Sequence, residues 1–153
     1  MTRRIDLDAT DKGIIRQLQV DGRLSYADLA PRVGLSAPAT RQRVQRLMDS
    51  GVLQVVAVTD PLALGLPVMA LVGIAVDGDI RAVADAIAEV DNVIYVVLTS
   101  GSFDVFAEVV CHDMDELFTV VNDHIKPLDG VKATESFVYF DIHTHRFTWD
   151  IPT

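Results

Sequence analysis

Ser25-Tyr26-Ala27-Asp28-Leu29-Ala30-Pro31-Arg32-Val33 is followed by Gly34-Leu35 and then by Ser36-Ala37-Pro38-Ala39-Thr40-Arg41-Gln42-Arg43-Val44-Gln45-Arg46-Leu47-Met48. Ser25 caps a short helix, with Asp28 three residues on in the manner of a capping box. Leu29, Ala30 and Val33 supply its apolar side, and Gly34 closes it. Ser36 caps the next helix, so only Gly34 and Leu35 separate the two. So short a glycine-containing connection makes the helices cross steeply, as in a helix-turn-helix. The later helix is predicted over Ala37–Ser50. Val44, Leu47 and Met48 form its buried stripe, with Thr40 a turn earlier. Pro38, Ala39, Gln42, Gln45 and Arg46 lie opposite, flanked by Arg41 and Arg43. Small residues at a helix start permit close entry into a DNA major groove, and Gln and Arg read base edges. A solvated polar face is the plainer alternative.

Charge separates these readings. The 153-residue chain carries a net charge of -9, yet residues 1–60 hold 9 Lys and Arg against 7 Asp and Glu, and residues 61–153 hold 4 against 15. Eight of the nine basic residues in the first part are arginines, whose planar fork suits phosphate and base recognition. The asymmetry assigns nucleic acid to the N-terminal part and another task to the rest. With 50% hydrophobic residues the chain can fill a core. One cysteine, Cys111, excludes a disulfide framework and a cysteine-cluster zinc site. No apolar run reaches the roughly 18 residues of a membrane span. The start shows no secretory signal, so a cytoplasmic protein is expected.

Upstream, Asp8 caps a first helix with Ile14, Ile15 and Leu18 inward, and Asp11 places negative charge in its first turn. Downstream, Val52–Val58 is β-branched and predicts a strand, completing a wing and linker before Asp60-Pro61. The remainder reads as β-α-β-β-α-β: strands over Val68–Val76, Val93–Leu98, Val105–Cys111 and Val131–His145, with helices over Ile80–Val90 and Met114–Ile125. The second of these helices is expected to bury Leu117, Phe118, Val121 and Ile125, with Pro127 stopping it. The fold class is α+β: a winged helix-turn-helix over residues 1–60, then a ferredoxin-like sensing and oligomerisation domain over residues 61–153. In the first strand of that domain, Val68, Ala70, Val72, Ile74 and Val76 share one face, yet Met69, Leu71 and Ala75 on the other are apolar too. Helices cover only one face of such a sheet, so a second subunit is expected on the other.

Leu7-Asp8-Ala9-Thr10-Asp11, Leu18-Gln19-Val20-Asp21-Gly22-Arg23, Leu29-Ala30, Val33-Gly34-Leu35-Ser36 and Arg43-Val44-Gln45-Arg46-Leu47 together resemble the Lrp/AsnC (feast/famine) transcription regulators. Gly51-Val52-Leu53, Asp60-Pro61 with Leu64-Gly65, and the turn Ser100-Gly101-Ser102-Phe103-Asp104 extend the resemblance over essentially the whole chain. It implies a regulator of double-stranded DNA that forms homodimers, and often tetramers or octamers, and responds to an amino acid or related small molecule. It implies DNA contacts from Ser36, Pro38, Ala39, Arg41, Gln42, Arg43 and Arg46. Arg43 has a structural alternative, pairing with Asp49 or Asp28. The resemblance also points to effector contacts at Thr99, Gly101, Ser102 and Asp104, and on the final strand at Thr134 and Ser136. Gly101 permits a close ligand approach, and Asp104 is either an acceptor for an ammonium group or a turn former bonded to its own backbone.

Pro31 departs from the family's pattern, and a kinked or shortened second helix is expected there. The acidity of the second domain leaves only the helix-turn-helix to face DNA. His143 and His145 share a predicted strand face with Asp141, but a polar strand end is preferred to a metal site. Cys111 reads as an inert thiol and His112-Asp113 as a helix cap. Trp149 and Tyr139 are interface anchors or plain packing. No cofactor, catalytic constellation or enzyme activity is expected. A DNA-organising protein with weak sequence preference and no effector is the alternative to a regulator.

Overall fold

A computed structural model describes residues 6–144 and 151. They form two compact units: the described residues up to Val58 with Thr144 and Ile151, and Thr59–His143. His145 and Trp149 lie outside the described residues.

The first unit holds α1 (Ala9–Val20), α2 (Tyr26–Arg32) and α3 (Ala37–Asp49). A capping box opens α1. The Asp8 carboxylate accepts from the Asp11 N–H at 2.8 Å, and the Asp11 carboxylate accepts from the Asp8 N–H at 3.3 Å. At α2 the Ser25 hydroxyl accepts from the Asp28 N–H and donates to the Asp28 carboxylate at 2.6 Å, so the acid closes on the hydroxyl rather than on the Ser25 backbone. Pro31 lies in the last turn of α2, which ends one residue later after only seven residues, the expected shortening. The Leu35 N–H bonds back to the Ala30 carbonyl past Gly34, sealing the turn into α3. The core comprises Ile14, Ile15, Leu18, Leu29, Val44, Leu47 and Leu53, and Ile151 packs against it.

Two expectations fail here. Met48 is 39% exposed, because Thr40, Val44 and Leu47 already make the inward row and Met48 stands a further 100° around the helix. Val52–Val58 forms no strand, and Val55, Val56 and Val58 are exposed. β-branched composition favours extension, but a strand needs a paired ladder, and no second strand is described in this unit.

The second unit is built from β1 (Val68–Val76), α4 (Ile80–Ala88), β2 (Val93–Leu98), β3 (Val105–Cys111), α5 (Met114–Thr119) and β4 (Val131–Val138), with α5 continuing as a π-helical turn over Val120–Ile125. The sheet is antiparallel in the order β2-β3-β1-β4. That is the order of the ferredoxin-like split unit, so the expected α+β architecture holds. β1, β2 and β3 span the runs read from sequence. One face carries Ala70, Val72, Ile74, Val105, Ala107 and Val109 into a core with Val83 and Ile87 of α4 and Leu117 of α5.

β4 is shorter than expected. Val138 pairs with Ala70 and the Tyr139 N–H reaches the Met69 carbonyl, one residue from the start of β1. Phe118 is also a correction: it is 66% exposed, and Val120 is buried in its stead. The π-helical turn that follows widens the helix and brings Leu117, Val120, Val121 and Ile125 onto the sheet.

Candidate functional sites

Burial on one side fixes what α3 offers on the other. Thr40, Val44 and Leu47 are anchored in the core, and the Thr40 hydroxyl donates to the Ser36 carbonyl at 3.0 Å. Ser36 is the N-cap, accepting from the Ala39 N–H, and Pro38 lies in the first turn, where a missing N–H costs nothing. Pro38, Arg41, Gln42, Gln45 and Arg46 are exposed, and Ala39 is half-buried. All of them but Ala39 border an open groove of about 1200 Å³ that Tyr26 completes from α2.

The polar side chains of this surface differ in their commitments. Gln45 donates to Asp49 at 2.7 Å. Arg43 bridges Asp8 at 2.6 Å and Asp11 at 2.9 Å, and Arg46 meets the other oxygen of Asp11 at 2.5 Å. Arg43 therefore has ion-pair partners, but on α1 and its cap rather than at Asp49 or Asp28. Its guanidinium holds the Asp8 carboxyl below its ordinary value, with help from the Asp11 N–H, and the two carboxylates raise Arg43 in turn. Asp11 is 1% exposed. The sequence alone gives Asp8 a capping role and Asp11 a first-turn charge. Their spacing gives no sign of the arginines that arrive from a helix more than thirty residues on. The Arg41 and Gln42 side chains make no hydrogen bond or ion pair among the described residues.

The second candidate is the turn between β2 and β3. The Thr99 N–H bonds to the Asp104 carbonyl at 2.9 Å, and the Thr99 hydroxyl donates to the Phe103 carbonyl at 2.7 Å. Gly101 has φ +152° with open space where a Cβ would stand, so backbone conformation rather than crowding favours glycine there. Asp104 closes the turn through its carbonyl but directs its N–H and carboxylate to β1. Its N–H donates to the Ile74 carbonyl at 3.0 Å, and its Oδ2 accepts from the Val76 N–H at 2.8 Å. Thr134 faces Ile74 from β4, so Asp104 and Thr134 flank the same end of β1. Ser136 pairs with Val72, two residues farther along, and Ser102 is exposed at the tip of the turn.

A feature missed in the sequence lies behind this turn. The Phe103 ring covers Gly73 and meets Phe106 and Phe137 edge-on, with centroids 5.5 and 6.2 Å away. A glycine inside an otherwise apolar strand was the available sign of such a close approach.

Elsewhere, Asp113 caps α5, and Glu116, drawn below its ordinary value, accepts from the His112 N–H and from Asn92. Burial and the nearby Glu116 and Asp113 push the Cys111 thiol up to about 11. Burial and a hydrogen bond with Glu108 push Tyr139 up to about 12. Among the described residues no three His, Cys, Asp or Glu side chains are grouped to hold a metal, and no helix is long and apolar enough to cross a membrane.

Residues 7–48 match the AsnC-type helix-turn-helix domain, and residues 69–148 match the Lrp/AsnC ligand binding domain. The chain belongs to the Lrp/AsnC family. This Lrp/AsnC protein is a transcriptional regulator with a DNA-binding helix-turn-helix and a ligand-binding domain. It is 30% identical to the HTH-type transcriptional regulator FL11 of Pyrococcus horikoshii over 151 residues, 97% of this chain and 98% of that one. Among solved structures it resembles the leucine response regulatory protein LrpA of Mycobacterium tuberculosis, with a TM-score of 0.85, 26% identity and coverage of 95% and 100% of the two chains. It also resembles a Neisseria meningitidis transcriptional regulator in complex with L-Met, with a TM-score of 0.80, 26% identity and coverage of 95% and 97%.

Proposed function

We propose that this regulator reads double-stranded DNA with the start and outer face of α3, and that a small molecule, an amino acid, bound at the turn between β2 and β3 changes its DNA occupancy. The observation that carries the first part is the pairing of an anchored inner row, Thr40, Val44 and Leu47, with uncommitted Arg41 and Gln42 outside. A rigid helix whose outer side chains have no internal partner presents its hydrogen-bonding capacity to a groove. Ser36, Pro38 and Ala39 bring the helix start close to the duplex.

The second part draws support from the L-Met complex of the Neisseria relative. In this chain Asp104 keeps one carboxylate oxygen beyond the bond to Val76, and Thr134 flanks the same strand end. A ligand ammonium would meet an acceptor there. The regulator acts as a homodimer or a larger even assembly. The sheet face opposite the helices carries Phe137, exposed at 42%, with half-buried Leu71 and Phe106, an apolar surface that a second copy would cover. Two copies supply two α3 helices for half-sites about 10 bp apart.

Footprinting on the DNA upstream of its own coding sequence, with and without each of the twenty amino acids, tests this reading. Discrete protected segments that change with one amino acid are expected. Uniform protection indifferent to every amino acid would contradict it.

A further inference from the structure

Arg43 and Arg46 sit on the DNA-reading helix, yet their charges are already answered. One buried carboxylate, Asp11, takes one hydrogen bond from each, and Asp8 takes a second from Arg43. The four side chains sum to zero formal charge. Arginines that release counterions from phosphates drive binding to any duplex regardless of sequence. An arginine paired internally gives up that contribution and leaves discrimination to groups that touch base edges.

We infer that Asp8 and Asp11 are specificity-determining residues that withhold Arg43 and Arg46 from the DNA backbone, leaving Arg41 and Gln42 to make the reading contacts. This rests on the assignment of α3 as the DNA-reading helix. The geometry favours withholding over a purely stabilising role. Asp8 is an exposed N-cap that would cap α1 without any arginine, and yet Arg43 turns inward to it. Arg41, on the same helix, is left outside. The expected consequence is that a conservative change at the start of α1, far in sequence from the reading helix, makes the protein cling more tightly to arbitrary DNA.

The experiment measures binding of the full chain to a short mixed-sequence duplex by fluorescence anisotropy at salt concentrations between about 50 and 200 mM. Asp8→Asn keeps a good cap and removes one charge. Asp11→Asn removes the shared partner of both arginines. The slope of log affinity against log salt should steepen by up to about 1 per subunit for Asp8→Asn and by about 1–2 for Asp11→Asn, with tighter binding at low salt. Adding Arg43→Gln to Asp8→Asn should return the slope to the wild-type value. Asp8 is exposed, so its variant keeps the inference falsifiable even where Asp11→Asn fails to fold. Wild-type binding with slopes unchanged or shallower in the variants would overturn the withholding role alone. Failure of the wild-type chain to bind any duplex would overturn the reading helix with it.

Discussion

The ring of Phe103 lies across Gly73 so closely that a Cβ on that glycine would stand 2.7 Å from Cδ2 of the ring. Phe103 belongs to the turn proposed to hold the effector, and Gly73 to the central strand of the sheet. Gly73→Ala must therefore displace the ring and strain the turn. Overpacking of this kind costs about 1–3 kcal/mol, and the melting temperature should fall by several degrees. A calorimetric melt indistinguishable from wild type would show that the ring moves away freely.

Much of this architecture is legible in the residues because local and tertiary demands agree. Asp8, Ser25 and Ser36 are caps in sequence and in structure, and Val68–Val76, Val93–Leu98 and Val105–Cys111 are strands, the first and last of them filling the sheet core with Ala70, Val72, Ile74, Val105, Ala107 and Val109. Two of the misreadings share one cause, dependence on a partner distant in sequence. Val52–Val58 has strand composition but no neighbour to pair with. The end of β4 is set by where β1 begins. Phe118 has the right hydrophobicity for burial, but the π-helical turn after it favours Val120. In the candidate sites, spacing shows that Arg43 and Arg46 occupy α3, whereas their engagement with Asp11 requires α1 to lie alongside.

Asp104 joins the turn to β1 through the Val76 N–H. Asp104→Asn retains an oxygen acceptor for that bond and removes the negative charge. The variant should fold with a melting temperature within a few degrees of wild type, while losing the thermal shift that the responsive amino acid produces. An unimpaired shift would remove Asp104 from the effector site.

The ion pair at Asp8 sets a pH dependence with a definite sign. Arg43 holds the folded-state carboxyl below its ordinary value of 3.8, so the unfolded chain takes up this proton first as pH falls. The contribution is complete above the unfolded value and is lost as pH drops through the depressed folded value. Melts between about pH 6 and 3 should show a smaller decline for Asp8→Asn than for the wild type. Parallel declines would contradict the coupling.

Cys111 is buried at the end of β3 with its thiol pushed up to about 11. At pH 8 only about one such thiol in a thousand is ionised. Iodoacetamide should leave the native protein unmodified over hours and label it within minutes in denaturant. Rapid native labelling, followed by mass spectrometry, would show that this strand end opens readily.

The reading face itself is tested most directly by Arg41→Ala combined with Gln42→Ala, measured by anisotropy on a footprinted segment and on a scrambled duplex of equal length. Each base contact carries about 1–3 kcal/mol, so loss of the pair should lower the preference for the footprinted segment by at least about thirtyfold while the fold persists. An unchanged preference would place DNA recognition somewhere other than the outer face of α3.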